Sequence, residues 1–358
     1  MFDGLKSFTD RLLGRGSAAI TVPVMDGTLK PNRVLEDAAV VAELPGIDDL
    51  AGDGHALWAS AGPTLYRIDD GGPVELRRFD APISALAMST GGRLAVALDG
   101  ERIEVLDAAG AQIARLDGLR CANALAWDGE EALLFSEGSR AHGPAQWVHD
   151  LMALGRSGRA ARWRVQGKEA EPLAAGLEYA FGVLPAAGGA VLVAESWRHR
   201  VLKRDAQGKT LPLLSELPGY PSRMAPARGG GFWLSCFVCR TQLVEFVLRE
   251  PAYRQRMVAE IDPRYWIAPA LSSGNSFLEP LQGAGVKNMG VLKPWAPPRS
   301  YGLVLRVSDD GRVLGSLHSQ VDGHHHGITA IREHGGALYA ACKGRGRLLR
   351  VDLQGDAS

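Results

Sequence analysis

Apolar residues along the chain fall in short runs that are separated by turns containing glycine. In one stretch, apolar runs at 179–183, 190–194 and 200–204 are followed by a turn at 217–220, and the pattern then restarts at 231–236. Each cycle predicts a short strand, a glycine turn, an apolar strand and an alternating strand. Repetition of such a cycle is typical of the four-stranded blade of a β-propeller.

Six such cycles can be followed along the chain, with openings near residues 46, 83, 123, 179, 222 and 327. We therefore predict an all-β fold, a six-bladed β-propeller formed by residues 18–358. Strands are also predicted near residues 18–24 and 40–44. This N-terminal part of the chain is the candidate to complete a blade begun at the other end, because propellers commonly close their ring in this way.

Three segments depart from the blade pattern, one of which is an insertion near residues 142–156 in blade three. Apolar residues in the segment 1–17 have a spacing that forms one face of a helix, so a short N-terminal amphipathic helix is predicted. This helix would pack against the domain or make a weak contact with a membrane or a partner. An insertion at about 250–300 interrupts blade five, with a helix predicted at 251–265 followed by an aromatic-rich loop. We predict that this insertion caps one mouth of the propeller.

Composition narrows the class of partner. The chain has 358 residues, with 40 Lys and Arg against 40 Asp and Glu, so no net charge would attract nucleic acid. No apolar stretch approaches the length that spans a bilayer, and the charged N-terminus argues against a signal peptide. Four cysteines are too few for a secreted disulfide framework, so we expect a reducing compartment and a cytoplasmic location.

The innermost strands of a propeller line its central channel, so their equivalent positions form a ring around the axis. Alignment of the six openings places the following residues in this ring: Asp48, Ser84, Asn123, Phe181, Ser222 and His326. Tyr179, Tyr220 and Arg223 lie beside the ring, although the tyrosines could equally pack between blades. Such a channel mouth can bind a small polar molecule, and Arg223 would attract an anionic one. We therefore predict that these residues bind a small substrate or ligand.

Asp48 and His326 are the candidates for acid–base catalysis. Blades six and one are neighbours in a closed ring, so the carboxylate could orient the imidazole and raise its basicity. The alternative is a hydrogen-bonded polar cluster without a catalytic role, because buried polar groups need partners in any protein. Ser84 or Ser222 near His326 would also permit nucleophilic catalysis, although the sequence contains no nucleophile elbow.

The same ring offers candidate ligands for Ca²⁺ or another divalent metal. Asp48 and Asn123 would supply oxygen atoms, whereas Phe181 supplies none. One carboxylate is a small contribution to a calcium site, which takes six to eight oxygen ligands. The sequence therefore predicts an incomplete metal site and does not establish a cofactor.

Several segments, taken in their order, resemble the strictosidine synthase-like family. They are 158–163 (Gly-Arg-Ala-Ala-Arg-Trp), 179–183 (Tyr-Ala-Phe-Gly-Val), 191–196 (Val-Leu-Val-Ala-Glu-Ser), 200–204 (Arg-Val-Leu-Lys-Arg), 217–224 (Leu-Pro-Gly-Tyr-Pro-Ser-Arg-Met), 230–234 (Gly-Gly-Phe-Trp-Leu), 301–302 (Tyr-Gly) and 328–339. The resemblance covers most of the chain from about residue 46. It implies a six-bladed propeller related to gluconolactonases and paraoxonases, many of which resemble calcium-dependent lactonases or esterases.

The chain departs from this family pattern at positions that the resemblance assigns to metal ligands. Phe181 stands where the family places Asn, and Ser222-Arg223 stand where it places Asp-Asn, whereas Asp48 replaces the usual Glu with another acid. Thr329 stands where the family's amine–aldehyde condensing plant enzyme has a glutamate, so strictosidine synthesis is not expected.

These departures lead to two functional expectations. The first is an enzyme that acts on a small organic substrate at the central channel, hydrolysing a lactone or an ester with the usual calcium site weakened or lost. The alternative is a catalytically inactive propeller that binds a small ligand or a protein partner.

Overall fold

Within the part of the chain that the structure describes, strands pair into six antiparallel sheets of four strands each. The computed structural model describes residues 22–52, 54–276, 278–280 and 299–353. Contacts between the first strands of successive sheets place those strands around a common axis. The prediction of a six-bladed β-propeller is therefore confirmed.

The first four blades are each formed by four strands that are consecutive in the chain, and blade three also carries an insertion between its second and third strands. Blade one contains β2 (Ile47–Gly52), β3 (Leu57–Ala61), β4 (Thr64–Asp69) and β5 (Gly72–Arg78). Blade two contains β6 (Ile83–Met88), β7 (Leu94–Leu98), β8 (Arg102–Leu106) and β9 (Gln112–Leu116). Blade three contains β10 (Ala122–Asp128), β11 (Ala132–Glu137), β12 (Gly158–Arg164) and β13 (Ala170–Leu177). Blade four contains β14 (Ala180–Ala186), β15 (Ala190–Glu195), β16 (Arg200–Arg204) and β17 (Thr210–Leu214).

The last two blades contain the helical insertion of blade five and the ring closure. Blade five contains β18 (Gly219–Pro226), β19 (Phe232–Cys239), β20 (Gly302–Val307) and β21 (Val313–Ser319). Blade six contains β22 (Ile328–His334), β23 (Ala337–Cys342), β24 (Arg347–Asp352) and the N-terminal strand β1 (Ala39–Glu43). Because β1 pairs with β24, the first strand of the chain completes the last blade, as predicted for the N-terminal part of the chain.

The inner and outer strands of a blade differ in how deeply their residues are buried. All residues of β2 and β19 are buried, whereas β5 is mostly exposed. The hydrophobic core lies between neighbouring blades: Leu192 of blade four packs in one cluster with Leu234 and Leu303 of blade five. Continuous apolar runs therefore form the inner strands, and alternating sequences form the outer ones.

Helices occur in two insertions on the propeller. Blade three carries α1 (Trp147–Ala153), and blade five carries α2 (Gln242–Arg249) and α3 (Pro251–Glu260). Short 3-10 turns are found at Gly27–Leu29, Pro144–Gln146, Ala187–Gly189, Ser196–Arg198 and Pro263–Tyr265. The helix predicted at 251–265 therefore ends earlier than expected and is preceded by a second helix, whose N-cap is the Thr241 hydroxyl accepting from the Val244 N–H.

Parts of the predicted architecture lie outside the described residues. The N-terminal helix predicted at 1–17 is one of them, as are residue 277 and residues 281–298 of the insertion in blade five. Residues 22–24 of the strand predicted at 18–24 are described and are not in a strand. No helix in the described ranges is both long enough and apolar enough to cross a membrane.

Candidate functional site

Each of the six inner strands carries a β-bulge near its start, where one extra residue is inserted relative to the second strand of the blade. These bulges place one or two residues of each blade around the channel. The first unpaired residues of these bulges are Asp48, Ser84, Asn123, Phe181, Ser222 and Thr329. Five of the six positions agree with the alignment made from sequence, whereas blade six contributes Thr329 instead of His326.

Arg223, the second bulge residue of blade five, extends its side chain across the axis. Nε donates to the Asn123 carbonyl at 2.9 Å, and Nη2 donates to the Ser84 carbonyl at 2.6 Å. Nη1 donates to the Asp48 carbonyl at 2.8 Å and contacts the Thr329 carbonyl at 3.4 Å. The guanidinium thus binds backbone oxygens of blades one, two, three and six.

Blades four and five do not supply these carbonyls, but both contribute to the site of this side chain. Blade five provides the arginine itself, and blade four provides Phe181, whose ring centroid lies 5.1 Å from the guanidinium carbon. A cation over an aromatic face is attracted by the negative charge of the π-system. All six blades therefore contact this one side chain, and we call it the axial arginine.

Two carboxylates of blade one balance the charge of the axial arginine. Asp48 Oδ1 lies 3.3 Å from Nη1, and Asp49 Oδ2 lies 3.2 Å from Nε. Asp49 also accepts from the Leu50 and Leu86 N–H groups, so it connects blade one with blade two. Burial raises the pKa of Asp49 to about 6 despite the nearby arginine.

Asp48 has a second cationic partner in Lys343, which follows β23 in blade six. Lys343 Nζ lies 3.0 Å from Asp48 Oδ2, and the lysine side chain is 36% exposed. Burial alone would raise the pKa of Asp48, but Lys343 and Arg223 outweigh it and hold the pKa below its usual value. Asp48 is therefore an ionised carboxylate and a weak base.

The residues at the axis do not fit a divalent metal. Asn123 Oδ1, one predicted ligand atom, accepts from the Ser136 hydroxyl at 2.8 Å, and the Asp48 carboxylate lies between two cationic side chains. A guanidinium among the converging carbonyl oxygens repels a second cation. No group of three or more His, Cys, Asp and Glu side chains in the described part of the chain is arranged to hold a metal ion.

His326 does not pair with Asp48 and does not line the channel mouth. Its Nε2 lies 2.7 Å from the Gln320 carbonyl, and its Nδ1 lies 2.8 Å from the Ser300 hydroxyl. A carbonyl can only accept, so Nε2 carries the proton and Ser300 donates to Nδ1. Both nitrogens of this imidazole are engaged within blades five and six, which leaves none for Asp48.

Burial lowers the pKa of His326 to about 4, and this shift predicts sensitivity to acid. The folded-state pKa lies below the unfolded value near 6.5, so the unfolded chain binds more protons between these values. The stabilisation is fully present above pH 6.5 and is lost as the pH falls towards 4. For His326→Gln, we expect the loss of unfolding free energy between pH 7 and pH 5 to be about 2 kcal/mol smaller than in the wild type, measured by urea denaturation.

The adjacent His324 provides the control for this measurement because it is exposed. His324→Gln should keep the wild-type dependence of stability on pH. An unchanged dependence in His326→Gln would contradict the assignment of a buried, neutral imidazole at this position.

The other predicted binding residues divide into two groups. Ser84, Asn123, Tyr179 and Phe181 line a small chamber at the channel mouth, together with the axial arginine. Ser222 and Tyr220 are completely buried and do not line it. The Ser222 hydroxyl bonds to Ser235, and Tyr220 packs edge-on against Trp197 at 5.7 Å, so both contribute to blade packing.

The chamber has a polar floor and an apolar roof. The floor is the axial network with Lys343 and Thr329, and the roof is formed by Pro144, Trp147, Tyr179, Phe237 and Leu271. Trp147 comes from the insertion of blade three, and Leu271 comes from the insertion of blade five. The described residues leave a free volume of about 20 Å³, which holds one water molecule. Both insertions therefore contribute a lining residue to this chamber.

Sequence reasoning missed Lys343 and Trp147 as parts of the chamber. Lys343 belongs to a basic turn, Lys-Gly-Arg-Gly-Arg, that resembles an ordinary solvated turn. Lys343 could have been identified from its position immediately after the apolar strand β23, because blade six lies next to the blade that contains Asp48. Trp147 lies in an insertion, and the blade repeat gives no position for such a residue.

The opposite end of the channel is wider. A cavity of about 430 Å³ is lined by small and aliphatic residues of the inner strands, including Ala51, Leu86 and Ala126, and Arg223 and Asp49 form part of its wall. The axial arginine therefore lies between the small chamber and the wider cavity, and it lines both.

The inner-strand ring and the axial channel define the class of the protein as a six-bladed β-propeller. A comparison with protein-family models finds no match, and a comparison with curated proteins finds none either. The family of this chain is therefore not shown by sequence comparison.

Solved structures share the fold at low sequence identity. A gluconolactonase from Xanthomonas campestris is 15% identical, with 89% of this chain and 91% of that chain covered and a TM-score of 0.55. A calcium-binding protein, regucalcin, from Agrobacterium tumefaciens is 11% identical, with 88% and 92% covered and a TM-score of 0.53. The chain is thus similar to gluconolactonase and regucalcin propellers over most of its length, and this similarity concerns the fold.

Proposed function

We propose that the protein is a metal-independent propeller hydrolase that opens a small lactone or cleaves a small ester in the capped chamber. The observation that carries this proposal is the Asp48–Lys343 pair, with 3.0 Å between its charged atoms, at the polar floor of a chamber roofed by aromatic side chains. The shared fold with a gluconolactonase supports the reaction class. The resemblance to the strictosidine synthase-like family remains a proposal of the same kind, supported by the motifs between residues 158 and 339.

The two members of the pair would have different roles in hydrolysis. The Lys343 ammonium would donate to the oxyanion that develops when water attacks the carbonyl carbon. The Asp48 carboxylate would accept the proton of that water and return it to the leaving alkoxide oxygen when the acyl C–O bond breaks. A carboxylate with a lowered pKa is a weak base, so lactones and activated esters are better substrates than unactivated esters.

Substrate entry requires movement of the roof, because the free volume of about 20 Å³ is too small for a lactone. Trp147 and Leu271 belong to inserted segments and not to the blades. Their displacement would open the chamber without changing the pairing of the strands. The floor residues would then remain in place for the reaction.

A panel of γ- and δ-lactones and aryl esters tests the proposal with protein treated with a chelator. We expect hydrolysis to continue after chelation and kcat to fall about 100-fold in Lys343→Met, because one oxyanion donor is lost. Lys209→Met, at an exposed turn of blade four, is the matched control and should keep wild-type turnover. Wild-type turnover in Lys343→Met, or complete dependence on added metal, would refute the proposed mechanism.

The second candidate function is a catalytically inactive propeller that binds a small ligand. The observation that favours it is that both nitrogens of His326 and both oxygens of Asp48 already have partners. A protein that hydrolyses nothing in the panel but binds a small molecule in the chamber would support this function instead.

We propose a cytoplasmic location for either function. The four cysteines are free and buried, which agrees with a reducing compartment. Fractionation of cells that express the full chain would test the location, and recovery of the protein outside the cytoplasm would contradict it.

A further inference from the structure

The described residues contain two buried arginines, Arg223 and Arg254, with 6% and 8% of their surface exposed. They differ in how their charge is balanced. Arg223 has two carboxylate partners and four carbonyl partners within the channel. Arg254 donates to the Leu248 carbonyl through Nη1 and forms no salt bridge among the described residues. A buried cation without a carboxylate is costly unless an anion from solution binds it.

Arg254 lines a cleft of about 350 Å³ between the two helical insertions. One wall is formed by α1 and the turn before it, and the other wall is formed by α3. The residues that line the cleft are His142, His149, Met152, Ala153, Arg254, Gln255, Val258 and Ala259. This volume is within the range of sites that hold small molecules, and the cleft is separate from the chamber on the propeller axis.

Two histidines, His142 and His149, line the wall of the cleft opposite α3, and their ring centroids are 6.3 Å apart. His142 Nδ1 lies 3.3 Å from Asp150 Oδ2, and Asp150 Oδ1 accepts from the Trp197 indole at 2.8 Å. The carboxylate therefore accepts from Nδ1–H and leaves Nε2 of His142 for another partner. His149 Nδ1 is buried and has no hydrogen-bond partner among the described residues. In this tautomer Nε2 of His142 is an acceptor, so the donor that an anionic ligand would find in the cleft is the Arg254 guanidinium.

Apart from Gln255, the rest of the cleft is apolar. Met152 and Ala153 on one wall face Val258 and Ala259 on the other. A ligand that fills this volume would therefore place a hydrocarbon part against these residues and a charged group at Arg254. Planar guanidinium groups bind carboxylate and phosphate oxygens in a bidentate manner, with charge-assisted hydrogen bonds.

We propose that the cleft between α1 and α3 is a binding site for a small amphiphilic oxyanion, whose carboxylate or phosphate group binds Arg254 beside the two histidines that line the same cleft. Sequence analysis predicted an anionic ligand for Arg223, but Asp48 and Asp49 already neutralise that arginine inside the channel. We therefore assign the anionic ligand to Arg254. The proposal does not depend on hydrolysis in the chamber.

Isothermal titration of the full chain with octanoate, octyl phosphate and 1-octanol tests this site. We expect saturable binding of one or both anions and much weaker binding of the alcohol, which has the same chain length without the charge. The tighter of the two anions identifies the head group. Equal binding of 1-octanol, or no binding of either anion, would overturn the proposal.

Two arginines of α3 give a matched pair of variants. Arg254→Gln removes the buried cation, and the Kd of the bound anion should rise about 10- to 100-fold because a charge-assisted hydrogen bond is lost. Arg256→Gln removes an exposed arginine that pairs with Glu260 on the same helix, and its Kd should equal that of the wild type. Equal affinities for the two variants would contradict the site.

Crystals of the wild-type protein soaked with 8-bromooctanoate provide a second test that does not depend on the folding of a variant. The anomalous signal of bromine should lie beside Met152 and Val258, with the carboxylate within hydrogen-bond distance of Arg254. A carboxylate bound at another place on the protein, with the cleft empty, would refute the assignment.

Discussion

Replacement of Arg223 by alanine is expected to lower the free energy of unfolding by about 3–5 kcal/mol, the usual cost of removing one partner from a buried ion pair. The variant leaves Asp49 without its cation and leaves Asp48 with Lys343 alone. It also leaves the carbonyls of Ser84 and Asn123 without the donor that they have in the wild type. Urea and thermal denaturation, followed by tryptophan fluorescence, measure the change.

Added Ca²⁺ tests whether Arg223→Ala destabilises the protein through the lost positive charge or through the lost packing contact. In Arg223→Ala the carbonyl and carboxylate oxygens no longer surround a cation, so added Ca²⁺ should raise the midpoint of thermal unfolding. The wild type should show no such increase. Arg228→Ala, at an exposed turn of the same blade, should behave as the wild type in both measurements. A stability loss below 1 kcal/mol in Arg223→Ala would contradict the role that we assign to this residue.

Gly182→Ala is expected to destabilise the seam between blades four and five by about 3 kcal/mol, because overpacking forces the backbone to shift. A Cβ atom at this position would lie 2.3 Å from the Ser222 carbonyl oxygen and 3.1 Å from the Ala194 Cβ atom. The nearest obstacle is backbone, so no side-chain rotation relieves the contact. The two inner strands would have to separate beside Phe181 and Arg223, which should also lower the yield of soluble protein.

Gly315 in β21 gives the control for this substitution. A Cβ atom there would meet no other atom within 4 Å, and the residue has no left-handed backbone conformation. Gly315→Ala should therefore leave the midpoint of urea unfolding unchanged or raise it slightly, as expected when a glycine is replaced at a compatible position. Equal stabilities for the two variants would show that the strands of blades four and five can separate freely.

The repeating strands could be predicted from sequence because each blade satisfies its own pattern of burial. Apolar runs such as Phe232–Cys239 became fully buried strands, and glycine turns separated them. Five of the six ring positions followed from the same alignment. The closing strand was also expected from the N-terminal part of the chain, since a propeller needs a pairing that joins its two ends.

The error in blade six has a local cause. His326 precedes Gly327-Ile328 in the same way that Phe181 precedes Gly182-Val183, and the two segments looked equivalent. In the structure Gly327 adopts a positive φ of 70° and belongs to the turn, so the strand begins at Ile328 and its bulge presents Thr329. A glycine that packs closely within a strand and a glycine that turns the chain cannot be distinguished by their neighbours in sequence.

The role of Arg223 could not be predicted from sequence, for a different reason. Its partners Asn123 and Asp48 are 100 and 175 residues away, and the bonds involve their backbone carbonyls, which every residue type possesses. The family resemblance drawn from the sequence implied that Phe181 and Arg223 stand in place of metal ligands. Only the folded ring shows that these two replacements contact each other and contribute to the same cation site.

Pairing of β1 with β24 has a consequence for how the protein is made. About 300 residues separate the two strands, and a ribosome that adds about 5–20 residues per second needs about 15–60 s to produce them. Throughout this time Ala39–Glu43 has no strand to pair with. An unpaired strand edge can associate with other chains. The time needed to synthesise β24 therefore determines how long β1 needs protection from aggregation.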